Sequence, residues 1–442
     1  MPSTAIRYAH QLALYFAFTL QSKAQVSEFK IMNKSRIYIL GGHQSDFARN
    51  WVREQKSIFD LFSDSVIAGL TASKLNPADI QVGHVGNFVS ASYTGQAHLG
   101  GLFGHVHPNL AYMPASSHEA ACASGSMAVL AAMADLEAER YDLACVVGIE
   151  MMKVKEPPIK GDPLAGAAWI GKEWVDSKAV WPCAFSDLID EYQNTFGVNK
   201  AHLEAISSKN YENAKSNPNA QSRQWNISQE SFSDNDELNP VIAGNIRRLD
   251  CGQITDGAAT VFLATAERAQ KYANEHGISI DNIPYIKGWG HINAPMQFSE
   301  KRRLAEGEAT LLPHVEALFK QTLKRANLHS IEQISGLEVH DCFNITEYMI
   351  LDHSGLYEPG QAWKAIENGE TQIGGKLPIN ASGGLIGQGH PVGATGVRML
   401  LDCAKQTTHQ YDGQQISDAG DMMTFNLGGS TTTCASFVVG TS

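Results

Sequence analysis

The chain repeats itself. CASGSMAV, beginning at Cys122, and HPVGATGV, beginning at His390, align without a gap, so that Gly125 meets Gly393, Ala128 meets Gly396 and Val129 meets Val397. The flanking segments keep the same order: RIYILGG (36–42) parallels IPYIKGWG (283–290), VGNF (85–88) parallels HDCF (340–343), and ACVVGIE (144–150) parallels TFNLGGS (424–430). An internal repeat restricts the fold more than any single motif does, because each copy must form the same supersecondary unit. It predicts two similar α/β domains, at 33–265 and 280–442, packed about a pseudo-twofold axis. Under that symmetry Cys122 and His390 occupy equivalent points and face one site.

Within the first unit strands and helices alternate. SRIYILGG (35–42) is a β-rich run closing on glycine, and residues 57–73 carry helical apolar spacing at Ile58, Leu61, Phe62, Val66 and Leu70. Residues 81–90 read as a strand, 122–141 as an Ala/Leu/Met-rich helix, and LACVVGIE (143–150) as a continuous apolar strand. This alternation belongs to a layered α/β domain. Residues 152–245 break it with Trp, Pro, Asn and Lys, a helix at 200–216 and a polar run at 217–239, and read as an inserted loop domain. Alternation resumes over 255–276. Residues 1–32 read as an N-terminal extension outside the core. There LALYFAFTL (12–20) behind Arg7 faintly resembles the apolar part of a signal peptide, but no A-x-A site follows, and Met32 leads straight into the first strand. An upstream extension, a separate helix and a targeting segment all stay open.

The balance of 34 basic against 46 acidic residues gives a formal net charge of −12. Nucleic-acid binders are generally basic, so no nucleic-acid partner is expected, and a phosphate-bearing ligand would need a local basic pocket. No run reaches the ~18 apolar residues that a membrane span requires. Cysteines number 7, an odd count without a CxxC pair, which reads as free thiols in a reducing compartment. The expected location is cytoplasmic.

Four side chains carry the chemistry. Cys122 lies where small residues lead into a helix, and a helix N-terminus offers free N–H groups and a positive dipole end that favour thiolate. His390 stands in a run dense in glycine (Gly383, Gly384, Gly387, Gly389, Gly393) that brings backbone close to something. A Cys–His pair within reach is how a nucleophilic thiol is activated. In EVHDCFNITEY (338–348), His340 and Cys342 are two apart at the end of an apolar strand and share a face. A second thiol beside an imidazole suits proton transfer; a metal half-site or a plain strand end are the alternatives. TFNLGGS offers backbone N–H groups after a strand, positioned for a developing oxyanion.

Other features read as structural. Gly387 and Gly389 begin a GxG, but Val392 breaks GxGxxG and no acidic residue follows about 20 residues on, so a dinucleotide site is rejected. His105 and His107 lack a third ligand pattern, and no metal site is expected. Cys145, Cys403 and Cys434 lie in apolar runs and read as core. Arg247–Arg248 and Lys301–Arg303 read as solvated faces, with a phosphate pocket as the minority reading.

Together these motifs resemble the thiolase family over roughly 33–442. ACASG matches its nucleophile motif, GHPVGATG its histidine motif and TFNLGGS its C-terminal catalytic loop. HDCF stands where ordinary thiolases have Asn-Glu-Ala-Phe, and Asn426 where they have a second catalytic Cys. That combination looks like the sterol-carrier-protein-type branch, as do KNYENAKSNPNAQ (209–221) and LDCGQITDGAA (249–259), although the fused lipid-carrier domain of some members is missing. Ser430 replaces a third glycine of the terminal loop.

The resemblance implies a five-layered α-β-α-β-α thiolase fold, assembled as a homodimer or homotetramer. It implies that Cys122 is acylated by an acyl-CoA and that His390 takes its proton. Cys342 would exchange the α-proton of acetyl-CoA, and His340 would hold the enolate oxygen. Backbone N–H groups of Cys122 and Gly428 would form the oxyanion hole. Coenzyme A and acyl-CoA enter as substrates, with no separate cofactor. The expected activity is thiolytic cleavage of a 3-oxoacyl-CoA or the reverse Claisen condensation. The rivals are a decarboxylating ketoacyl synthase, which needs no α-proton base, and a catalytically idle acyl-CoA-binding scaffold subunit.

Overall fold

The sheet topology displays the repeat. The computed structural model describes residues 36–158 and 162–442; the extension at 1–32 lies outside the described residues. Its principal elements are β1 (Ile37–Gln44), α1 (Ile58–Ala72), β2 (Val82–Gly86), β3 (Ala115–His118), α2 (Ser124–Glu137), β4 (Leu143–Glu150), α3 (Val180–Thr195), α4 (Lys200–Lys215), β5 (Gly257–Ala264), α5 (Ala266–His276), β6 (Tyr285–Asn293), α6 (Pro313–Arg325), β7 (Gly336–Val339), α7 (Asn344–Asp352), α8 (Thr395–Thr407), β8 (Met422–Gly428) and β9 (Thr433–Gly440). The nine strands run in the order β3-β2-β4-β5-β1-β6-β9-β8-β7. The order β2-β4-β5-β1 in one half has its counterpart β7-β8-β9-β6 in the other. Each of these four-strand runs has one parallel pairing followed by two antiparallel ones, and β3 adds a second parallel pairing at the edge of the first half. The halves meet where β1 pairs briefly with β6, Ile37 opposite Ile286 and Tyr38 opposite Tyr285.

Local sequence explains the elements. In α1 the buried positions are Ile58, Leu61, Phe62, Ser65, Val66, Gly69 and Leu70, a single helical stripe. Ser57 and Asp60 close a capping box at its head. Strands β4 and β5 are buried at every position, as expected where helices cover both faces of a sheet.

Helices α2 and α8 pack together between the two half-sheets. Their shared core joins Ala128, Val129 and Ala132 of α2 to Val397, Leu400 and Leu401 of α8, with Ile39 and Phe437 from the strands. The outer face of the first half is covered by α1 and α5, and that of the second by α6. The result is five layers, α-β-α-β-α. Fully burying side chains of this size stabilises by about 1.5–3 kcal/mol each, so the central layer, which carries the head of α2, is among the firmest parts of the molecule.

The segment between β4 and β5 carries α3 and α4, whose apolar faces pack on the second half, while Arg223 ties it to Asp46 of the first. Phe185, Leu188 and Leu203 join a core with Phe343, Ile345 and Met349, and Phe185 stacks on Phe343 at 4.5 Å between centroids. This places the insertion over the mouth of the site.

Two helix starts differ from the sequence expectation. The helix after Cys122 begins at Ser124, and the one after His390 only at Thr395. Residues 391–395 form a turn on the Pro391 carbonyl, which accepts from Ala394 N–H at 2.8 Å and Thr395 N–H at 3.2 Å. His390 therefore sits in the approach to α8, free of the helix's own hydrogen-bond ladder.

Candidate active site

A cavity of about 300 Å³ brings the four predicted side chains together: Cys122, His340, Cys342 and His390 all line it. They arrive from both halves of the repeat. Cys122 comes from the head of α2, His340 and Cys342 from the end of β7, and His390 from the turn before α8. The remaining wall is largely apolar and includes Phe88, Tyr93, Met152, Leu164 and Trp181. A third thiol, Cys251, lines the same cavity, and sequence reading did not single it out.

Cys122 is held on a constrained turn. Ala121 has φ of +51°, in the left-handed region that L residues rarely adopt. The Ser124 hydroxyl fixes that turn, donating to the Ala121 carbonyl at 2.6 Å and accepting from the Ala120 N–H at 2.9 Å. The expectation that the helix terminus lowers the thiol pKa is reversed. Burial, then the nearby Glu150, pushes Cys122 up to about 12, against the opposing pull of the Gly429 N–H and its own N–H. Desolvation of the charged form outweighs two backbone dipoles. The resting nucleophile is a neutral thiol.

The two imidazoles stand beside that thiol. Their rings lie 4.9 Å apart between centroids, edge to face at 87°. One nitrogen of each ring and the Cys122 Sγ all lie within 4.8 Å of one another. The Nε2 atoms of both rings are buried without a partner among the described residues. Hydrogen bonds on the far side assign their protons. The Asn426 amide Nδ2 contacts the Cys122 carbonyl at 3.2 Å and His340 Nδ1 at 2.9 Å. A carbonyl only accepts, so this end of Asn426 is the donor, His340 Nδ1 accepts, and Nε2 carries the proton. For His390, Nδ1 faces the Thr395 hydroxyl at 2.8 Å, and that hydroxyl donates to the Pro391 carbonyl at 3.3 Å. His390 Nδ1–H is then the donor, and its Nε2 keeps a lone pair.

One imidazole is thus a hydrogen-bond donor and the other a base. Burial, then the Arg398 charge, drives His390 down to about 3. Burial, then His390 and Arg398, holds His340 well below its ordinary value. Both rings are neutral at physiological pH. Three such atoms at this spacing could surround a metal ion, but His340 Nε2 carries a proton and offers no lone pair to one.

Cys342 completes the site. Burial, then Cys122 and Asp341, raises its thiol well above the usual range, while the Thr346 hydroxyl and Phe343 N–H oppose the shift. The Cys342 carbonyl accepts from Gly252 N–H at 2.9 Å, which ties the loop of HDCF to the insertion. A buried neutral thiol of this kind can give a proton and take it back.

A second layer of buried polar groups holds these four in place. Asp341 turns away from the cavity and accepts from Leu385 N–H at 2.5 Å, Ile386 N–H at 3.2 Å and Asn210 Nδ2 at 2.7 Å. Helix α4, polar in sequence, buries Lys209 and Asn210 to do this. Lys209 Nζ meets Glu347 at 2.5 Å and the Ile379 carbonyl at 2.9 Å. Glu150, pushed up to about 7 by burial, accepts from Asn87 Nδ2 and from Phe88 and Val89 N–H. Arg398, fully buried, joins Glu338 at 2.8 Å and Asp402 at 3.0 Å.

Lys301 corrects a sequence expectation. It is not part of a solvated face: it is 3% exposed, and burial drives it down to about 8. Its Nζ donates to the Ser430 carbonyl at 2.6 Å, the Ser430 hydroxyl at 2.7 Å and the Thr432 hydroxyl at 3.0 Å. It anchors the loop that presents Gly429. Arg302 pairs with Glu191, and Arg303 with Glu300 on the surface. Arg247 pairs with Asp234 and Asp236. On the terminal loop, the N–H that reaches Cys122 belongs to Gly429, one residue beyond Gly428. Gly428 packs flat against the Ala120 carbonyl, where a Cβ would collide.

Other candidates settle as structure. His107 caps the Asn109 N–H at 3.2 Å, and His105 stands edge-on to Phe59. Cys145, Cys403 and Cys434 are buried, and all seven cysteines are free.

Comparison with known proteins finds a thiolase N-terminal domain over residues 37–267 and a thiolase C-terminal domain-like segment over 299–441. The chain is 28% identical over 400 residues to an acetyl-CoA acetyltransferase of Methanothermobacter thermautotrophicus, covering 90% of this chain and 98% of that one. It is 24% identical over 408 residues to sterol carrier protein 2 of Bos taurus, covering 89% and 70%. Among solved structures, the Ltp2-ChsH2(DUF35) aldolase matches with a TM-score of 0.72 at 18% identity, covering 92% of this chain and 98% of the other.

Proposed function

The chain belongs to the thiolase family, and on that premise we propose that it is a CoA-dependent acyltransferase working through a Cys122 acyl-enzyme. The observation that carries this reading is the meeting of two thiols with two oppositely protonated imidazoles in one apolar cavity. The acetyl-CoA acetyltransferase relative, matched over nearly its whole length, supports it.

In the degradative direction His390 Nε2 takes the Cys122 proton as Sγ attacks the 3-keto carbon of a 3-oxoacyl-CoA. The C2–C3 bond breaks, and its electron pair becomes an acetyl-CoA enolate. His340 Nε2–H donates to the enolate oxygen, and Cys342 protonates C2, releasing acetyl-CoA. Free CoA then gives its thiol proton to the Cys342 thiolate and attacks the acyl-enzyme. Acyl-CoA leaves, and Cys122 recovers its proton from His390. The N–H groups of Cys122 and the 428–429 loop serve the oxyanion of the acyl transfer. Read backwards, the same steps give Claisen condensation. Placing proton-exchange and nucleophile roles on two thiols requires that their environments differ: Cys122 receives the Gly429 N–H from the terminal loop, whereas Cys342 receives the Thr346 hydroxyl and the Phe343 N–H at the head of α7. A decarboxylating synthase would have no use for Cys342.

No helix among the described residues is long and apolar enough to cross a membrane. A cytoplasmic location belongs to the proposal and is supported by seven free thiols. Assembly as a homodimer or homotetramer belongs to it as well, and β3 ends the sheet with one edge unpaired. Coenzyme A and acyl-CoA enter as substrates.

The test is thiolysis. Purified protein given acetoacetyl-CoA and free CoA should consume the 3-oxoacyl thioester and release acetyl-CoA, and Cys122→Ala should not. Turnover that survives in Cys122→Ala contradicts the proposal.

A further inference from the structure

Asn426 stands where ordinary thiolases carry a second catalytic cysteine, and it is completely buried. It cannot exchange a proton, yet all three of its contacts converge on the site. The Ser126 hydroxyl donates to its Oδ1 at 2.8 Å. Its Nδ2 meets the Cys122 carbonyl at 3.2 Å and His340 Nδ1 at 2.9 Å. One contact on Oδ1 and two on Nδ2 lock the amide. Rotating it by 180° would set its oxygen against the Cys122 carbonyl, two acceptors with no proton between them. Gly396 packs beside Oδ1, where a Cβ would stand at 2.7 Å.

We propose that Asn426 is a positioning residue that fixes the His340 proton on Nε2, so that this ring meets the substrate oxygen as a donor. This inference rests on the acyltransferase reading for its kinetic consequence but not for its geometry. Without the amide, neither Nδ1 nor Nε2 would be preferred by a protein partner, since Nε2 has none. A neutral amide also keeps the donor in place at every pH at which the ring is uncharged. The titratable and charged groups around His340 are Cys122 from the head of α2, His390 and Arg398 from the α8 segment, and Cys342 in the same cavity. Among the described residues, the bond to Nδ1 comes from the uncharged Asn426 amide.

Asn426→Asp makes the prediction sharp. An ionised carboxylate at this point can only accept, so the neutral ring would turn its proton to Nδ1 and lose the donor at Nε2. Adding one proton to the Asp–His pair restores Nε2–H, whichever partner holds it. The variant should therefore turn over at low pH and lose about 10²–10³-fold in rate as pH rises through that titration, the effect of removing one oxyanion donor. The parent should show no such step. Asn426→Leu should be slow at all pH values and show no new titration.

The direct readout needs no variant. In protein labelled with 15N-histidine, His340 should show a protonated Nε2 and a bare Nδ1, and the pattern should reverse in Asn426→Asp at high pH. A His340 proton found on Nδ1 in the parent overturns the inference. So does an Asn426→Asp enzyme with the parent's rate and pH profile. Failure of the parent to form any acyl-enzyme would instead sink the acyltransferase reading, and the tautomer would still decide this one.

Discussion

Gly125 and Gly393 touch through their backbones: a Cβ on Gly125 would lie 2.7 Å from the Gly393 carbonyl oxygen and 3.0 Å from the Val397 nitrogen. The two residues are partners in the internal repeat. One lies three residues beyond Cys122 and the other three beyond His390, so the contact of the glycines sets the distance between nucleophile and base. Gly393 is as tightly held in return, with a Cβ position 2.5 Å from the Ile149 carbonyl.

Gly125→Ala should therefore separate the halves. Forcing a methyl group into close-packed backbone leaves no flexible side chain to yield, and a loss of more than about 3 kcal/mol is expected. Gly420→Ala, at an exposed site with only the Ser335 hydroxyl 3.5 Å away, should stay within about 0.5 kcal/mol of the parent. Denaturant unfolding of both variants measures this. Equal midpoints would show that the glycine contact does not govern the packing.

The division of labour between thiols is separable. Cys122→Ala should abolish acyl-enzyme formation. Cys342→Ala should still accept an acyl group on Cys122 but lose condensation by about 10²–10⁴-fold, the usual contribution of a positioned acid–base group. Rapid-quench mass spectrometry with acetyl-CoA, followed by a condensation assay, distinguishes the steps. Equal loss of both in Cys342→Ala contradicts the assignment.

The state of the nucleophile has a pH signature. Alkylation by iodoacetamide proceeds through thiolate. With Cys122 raised to about 12, its alkylation rate should climb close to tenfold per pH unit from pH 6 to 10, with no plateau. A plateau beginning below pH 8 would mean a stable thiolate–imidazolium pair and would contradict a resting neutral thiol.

Lys301 offers a test away from the chemistry. Lys301→Met keeps the stem but frees Ser430 and Thr432, and the loop that brings Gly429 to Cys122 should drift. A displacement of about 1 Å at a reacting centre can cost about 10²-fold in rate. The expected result is a large fall in kcat with CoA binding retained. An unchanged kcat would show that the loop is held by other contacts.

Much of this was legible in the chain itself. The repeat carried the correspondence between the halves, matching the segments of β1 with β6, β2 with β7 and β4 with β8, whereas the order of strands in the sheet came from the fold. Cys122 and His390 were legible because they stand among small residues, and His340 and Cys342 because they stand two apart at the end of an apolar strand. The support around them was not. Lys301 sits in a run of charges that reads as surface, and the folded loop 430–432, with the Met296 carbonyl, supplies the oxygens that make its burial tolerable. Glu338 and Arg398 were equally hidden, since their pairing joins β7 to α8. The thiol pKa was misjudged because a helix head is visible in sequence whereas the desolvation that overrides it is a property of the closed cavity. Helix α4 illustrates the same point: the burial of Lys209 and Asn210 depends on Asp341 and Glu347, which lie more than 130 residues further along the chain.

The measurement that bears most directly on the whole account is the mass of the protein after mixing with acetoacetyl-CoA in the absence of free CoA. One acetyl group should appear on the peptide holding Cys122, and it should leave as acetyl-CoA when free CoA is added. No acylation by any acyl-CoA, or an acyl group carried by Cys342 or Cys251 in place of Cys122, would contradict it.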